Sequence, residues 1–154
     1  KTLQDSGTDF LLKIGGDGDI NELKSKIKTA GLIPENVEVF AEKSIEEISA
    51  LMRSAHALVM FSHFENQPCT ILEALCSGIP VVSSDVGGIP EVITEENGIL
   101  VKAKNEASFA EALQNIVATY SKYDSKKIAE EASAIYSNTA VAHKLSEIYS
   151  SVLR

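Results

Sequence analysis

Five short apolar segments recur along this chain, and a helical pattern or a turn separates each from the next. "DFLLK" runs into Gly15, Gly16 and Gly18, and "NVEVF", "ALVMFS", "IPVVSS" and "NGILVK" follow in order. After the first, Asp19 and Glu22 mark a helix start, with Ile20, Leu23 and Ile27 at helical spacing before Gly31. After the second, Ser44-x-x-Glu47 is a capping box, and Ile45, Ile48, Met52 and Ala55 fall on one face. "ALVMFS" is nearly continuous in apolar residues, as a strand buried on both faces should be. Strands alternating with helices imply right-handed crossovers and a parallel sheet with helices on both faces. The expected fold is therefore α/β, a doubly wound, Rossmann-like domain. Its tail is helical: Phe109, Leu113, Ile116 and Val117 share one segment, residues 128–136 form another, and Val141, Leu145, Ile148 and Val152 a last one.

In such a sheet ligands bind beyond the carboxyl ends of the strands, which puts "GGDGD" and "SHFENQPC" on the binding rim. At 154 residues, 44% hydrophobic and 23% charged, the chain has the size and composition of one globular domain. A net charge of −8 speaks against nucleic acid as a partner. No apolar run approaches the roughly 20 residues that span a bilayer. "KTLQDSGTDF" lacks a signal-peptide pattern. Cys69 and Cys76, without a second pair, read as reduced thiols of a cytoplasmic protein.

The stretch "HFENQPCTILEALCSGIPVV" carries the chemistry. A helix is expected over about Pro68 to Ser77, with Pro68 at its first position and Gly78 and Pro80 closing it. Its first amides, from Cys69 to Ile71, and its dipole form an anion site without any basic side chain. That matters because no Lys or Arg occurs from Ser54 to Val101. Glu65 before the helix and Glu73 within it stand on either side of that anion. Carboxylates repel phosphate but accept hydrogen bonds from sugar hydroxyls, so the pattern suits a nucleotide sugar. The plainer alternative is a solvated loop glutamate and a surface helix glutamate. "HFENQPC" also shares residues with the zinc deaminase signature, but Leu72 stands where its second cysteine belongs. "GGDGD" lacks the third glycine of a dinucleotide fingerprint.

The ordered set resembles the carboxyl-terminal domain of the group 1 retaining glycosyltransferases, family 4 of the GT-B enzymes. The resemblance rests on Glu65-x7-Glu73 followed by "CSGIPVVSSDVGGIPEVI", with "LLKIGGDGD" and "VEVFAEKSIEEISALMRSAHALVMFS" upstream and "NGILVK" downstream. It implies that residues 1–154 are a single nucleotide-sugar-binding domain, one half of a GT-B architecture, acting in polysaccharide or glycolipid biosynthesis. Glu65 would position the donor sugar, and Glu73 would hold the ribose. The amides around Cys69, Thr70 and Ile71 would meet the diphosphate. Gly15 and Gly16 would allow close approach of the donor, and Phe40 and Ala41 would lie against the base. Gly87 and Gly88 would shape a turn below the site.

Family members commonly carry Gly-Phe-Gly after the first glutamate. Here Asn66, Gln67 and Pro68 stand there, so side chains reach toward the sugar and leave donor identity open. The family's phosphate-binding arginine and lysine lie upstream of anything matching Lys1. The expectation is thus a domain truncated at its amino-terminal side, without its acceptor domain, inactive alone, and touching a membrane only through the missing part. No cofactor and no metal are implied. A nucleotide-sugar epimerase and a non-catalytic binding module are the alternatives.

Overall fold

The computed structural model describes residues 1–153, which fall in two compact units, Lys1–Ile48 and Ser49–Arg154. The first contains α1 (Thr2–Asp5), β1 (Leu12–Gly15), α2 (Ile20–Thr29), a 3-10 turn (Pro34–Asn36) and β2 (Val37–Phe40). β1 and β2 pair in parallel from Leu12 opposite Val37 to Gly15 opposite Phe40. Asp19 caps α2 as expected, its carboxylate accepting from the Asn21 and Glu22 amides at 2.8 and 3.2 Å. Gln4 ties the amino-terminal segment down, donating to the Gly31 carbonyl at 3.1 Å and accepting from the Ile33 amide at 2.8 Å. Every residue of this unit is half-buried or exposed.

α3 (Ile45–Ser54) follows, opened by the capping box: the Ser44 amide donates to Glu47 Oε2 at 2.9 Å, and the Glu47 amide to Ser44 Oγ at 3.3 Å. Its apolar face is narrower than the spacing suggests. Met52 is buried and Ile48 half-buried, but Ile45 is 84% exposed. As the first helical residue, Ile45 leans back over the turn before the helix rather than along it.

The second unit contains β3 (Leu58–Met60), α4 (Cys69–Cys76), β4 (Val81–Asp85), a 3-10 turn (Ile89–Glu91) and β5 (Gly98–Lys102). α5 (Glu106–Thr119), α6 (Ser125–Tyr136) and α7 (Asn138–Val152) complete it. Its sheet is parallel in the order β3-β4-β5, with Val81 between Leu58 and Gly98. β4 is fully buried from Val81 to Ser84, the central position its apolar run calls for. Val82, Val101, Ala112 and Ile116 form a core cluster, with Phe61 and Phe109 packed on it. Ile71, Ala74 and Leu75 bury one face of α4.

Parallel strands with helices packed on them bear out the Rossmann-like α/β expectation. Two details differ: the strands are shared between two ladders, of two and three, and β3 is half-buried along its length rather than covered on both faces. Within this unit, β3 pairs with β4 among the described residues. At the far end of the unit, α7 leaves Val141, Leu145, Ile148, Tyr149 and Val152 exposed.

Candidate functional site

The loop from β3 to α4 is fixed at both ends and in its middle. Phe61 stacks on Phe109 of α5, ring centroids 4.3 Å apart and planes at 24°, which anchors the start of the loop to the core. The Ser62 hydroxyl donates to Glu65 Oε1 at 2.8 Å. Glu65 is half-buried, whereas His63, Phe64, Asn66 and Gln67 around it are exposed. The Gly88 amide donates to the Asn66 carbonyl at 2.6 Å, and the Ile71 amide to the Pro68 carbonyl at 3.1 Å.

Pro68 is the N-cap of α4, so the helix starts one position later than the sequence pattern suggests, and Pro68 offers no side-chain cap. The helix therefore begins with amides that its own residues do not cover. Since Ile71 already donates to Pro68, the amides of Cys69 and Thr70 are those left without a protein acceptor among the described residues. Both point with the positive end of the helix dipole, an arrangement that attracts an anion.

Glu73 lies one turn further on, on the same face as Cys69, and is exposed. Helical side chains lean toward the amino-terminus, so its carboxylate is carried back over the first turn of α4. The buried face of Ile71, Ala74 and Leu75 holds the helix rigidly behind these groups. Glu65, Asn66, Gln67, Pro68, Cys69, Thr70, Ile71 and Glu73 are thus brought together around one helix start. Ser62 was not anticipated from the sequence. Its signal is a serine three residues before a glutamate in a tight loop, where a hydroxyl reaches a carboxylate locally.

The other predicted residues belong to the first unit. Gly15 ends β1 and Phe40 ends β2, directly opposite in the ladder. A Cβ on Gly15 would overlap the Phe40 ring, so the missing side chain there is occupied by packing. Gly16 has open space around it, and Ala41 is exposed. A cavity of about 200 Å³ lies along this turn, lined by Gly15, Gly16, Gly18, Asp19 and Phe40 among others. The Lys43 ammonium sits 5.7 Å from the centre of the Phe40 ring. Among the described residues, no three of His, Cys, Asp and Glu come together in a metal-binding group. No described helix is long and apolar enough to cross a membrane.

Residues 1–135 match the family described as "Glycosyl transferases group 1". A D-inositol 3-phosphate glycosyltransferase of Corynebacterium kroppenstedtii is 31% identical over 124 residues, 77% of this chain and 27% of that protein. Among solved structures, the lipopolysaccharide outer core galactosyltransferase WaaB superposes with a TM-score of 0.77 at 26% identity, over 93% of this chain and 41% of that one. Anabaena Alr3699/HepE, solved in complex with UDP, shares the fold at a TM-score of 0.80 and 21% identity, over 92% of this chain and 41% of that one. The chain spans 31%, 36% and 27% of the first three curated relatives, about a third of their length.

Proposed function

The chain belongs to the group 1 glycosyl transferases, and on that premise we propose that it is the donor-binding domain of a retaining, family 4 enzyme of the GT-B architecture. The enzyme moves a sugar from a nucleoside diphosphate donor to a hydroxyl acceptor. One observation carries this reading: two carboxylates, Glu65 and Glu73, flank a helix start whose Cys69 and Thr70 amides are free.

Each group then has a task. The Cys69 and Thr70 amides donate to the diphosphate oxygens and stabilise the charge that grows on them as the glycosidic bond breaks. Glu65, steadied by Ser62, accepts hydrogen bonds from the donor-sugar hydroxyls and holds the anomeric carbon so that the acceptor hydroxyl approaches from the face the diphosphate leaves. Glu73 takes the ribose hydroxyls. No side chain of the α4 site is placed as a nucleophile, so Glu65 positions rather than attacks.

The chain spans about a third of the length of these relatives, and we propose that an acceptor domain and a basic pair belong to the remainder of a longer polypeptide. Residues 1–154 alone would then bind nucleotide weakly and transfer nothing. The free thiols Cys69 and Cys76 support a cytoplasmic setting, and we propose binding of the donor without a metal.

The test is transfer from a panel of nucleotide sugars by the whole polypeptide containing residues 1–154, with Glu65→Ala and Glu73→Ala beside it. Each substitution is expected to lower transfer by about two orders of magnitude. Full activity in both variants would overturn the assignment. Sugar rearrangement without transfer would point to an epimerase, and donor binding without turnover to a binding module.

A further inference from the structure

The turn after β4 lies directly against the loop that carries Glu65. Gly87 has φ +58°, a conformation that L side chains rarely adopt. A Cβ there would overlap the Glu65 carbonyl oxygen and come within 2.8 Å of the Asn66 carbonyl oxygen. Next to it, the Gly88 amide donates to that same Asn66 carbonyl at 2.6 Å. A Cβ on Gly88 would stand 3.0 Å from the Asn66 oxygen and 3.5 Å from Gln67 Cβ. Gly88 has φ −87°, so only proximity constrains it.

From this contact we propose that Gly87 and Gly88 are positioning residues for Glu65, setting the sugar-binding end of the site and not its nucleotide end. The proposal rests on the donor-site reading given above. The physical basis is the unequal stiffness of the two partners. β4 is fully buried from Val81 to Ser84, and Ile89, two residues past Gly87, is also fully buried. The short turn between them, though exposed at Asp85 and Gly87, is thus anchored in the core at both ends. The loop has exposed residues at His63, Phe64, Asn66 and Gln67, and it is the partner that yields. A methyl group at position 87 therefore displaces the Glu65 backbone, and with it a carboxylate that only Ser62 holds among the described residues. Glu73 stands on α4, whose buried face fixes it independently of this loop. Sugar recognition and nucleotide recognition are thereby supported by different parts of the fold.

The measurement is binding of a nucleotide sugar relative to its free nucleoside diphosphate, by the whole polypeptide containing residues 1–154. UDP-, GDP- and ADP-glucose are screened first, and the best-bound pair is used throughout. Gly87→Ala is expected to lower the sugar-to-nucleotide preference by about tenfold. Gly88→Ala should lower it less, and this variant decides the matter if Gly87→Ala does not fold. Gly78→Ala is the matched control: Gly78 also has a positive φ, +78°, and its Cβ would meet the Ser125 carbonyl at 2.5 Å, far along the chain from the loop. It should lower Tm and leave the preference unchanged. In a Glu65→Ala background, Gly87→Ala should cause no further loss of preference.

A preference unchanged in the folded glycine variants, an equal loss in Gly78→Ala, or a full additional loss in the double variant overturns the proposal. If Glu65→Ala itself leaves the preference intact, or no nucleotide sugar binds, the donor-site reading fails and takes this proposal with it. Loss in Glu65→Ala with none in Gly87→Ala removes only the positioning role.

Discussion

The Ser62 hydroxyl donates to Glu65 Oε1 at 2.8 Å, holding a half-buried carboxylate within a loop whose neighbouring residues are exposed. A hydrogen bond to a charged group contributes about 1.5–3 kcal/mol when it is partly sheltered from water. Ser62→Ala leaves Glu65 in place but free to turn. Transfer is expected to fall by about tenfold, mainly in kcat, with nucleotide affinity unchanged. Steady-state kinetics with the donor varied separates the two effects, and an equal loss of affinity for free nucleotide would contradict the assignment.

Glu73 is assigned to the ribose. The wild-type protein should therefore prefer a ribonucleotide sugar over its 2′-deoxy counterpart by roughly tenfold, the scale of one charge-assisted hydrogen bond. Glu73→Ala should erase that preference, while Glu65→Ala should retain it. Competition binding with both nucleotides gives the answer directly.

Glu47 provides a pH-dependent element at the start of α3. The Ser44 amide, followed by the Lys43 side chain and its charge, lowers the Glu47 carboxyl below its usual value. A lowered folded-state value means that the ionised form is favoured by folding. The resulting stabilisation is complete above the unfolded value of about 4.3 and is lost as pH falls through the lower folded one. Hydrogen exchange at the first turn of α3 should accelerate across that acidic window, and Glu47→Gln should flatten the dependence.

If the charge on the diphosphate is met, as proposed, by the Cys69 and Thr70 amides and a basic pair, transfer should be insensitive to EDTA. Activity lost on chelation and restored by Mg²⁺ would show that a metal shares this role.

Much of the fold was legible because it is written locally. Asp19 before α2 and Ser44 with Glu47 before α3 satisfy backbone amides two or three residues away, and such caps depend on little else. The apolar run at Val81 and Val82 announced a strand, though not its central place in the sheet. Ile45 and β3 were misjudged because burial depends on what lies alongside. The capping box put Ile45 at the helix start, but neither it nor an apolar periodicity says what packs beside Ile45 or covers β3. Within the candidate site, the helix after Pro68 could be read from the sequence to within one position. The contact between Gly87 and the Glu65 carbonyl joins residues more than twenty positions apart, and "DVGGIP" announces only a turn. Likewise Gly15 looks like a ligand-approach glycine, yet the Phe40 ring occupies the space beside it.

All the strand pairings among the described residues are parallel, and each joins segments roughly twenty residues apart, with Leu58 meeting Val81 and Val81 meeting Gly98. No ladder can start from a hairpin. Each must wait for an intervening helix or turn to form and swing across, which makes chain closure the slow event in folding. During that wait β4 and the apolar face of α4, the supports of the site, stand uncovered together. The helix that is firmest in the finished molecule belongs to the part most open to aggregation while the molecule is being made.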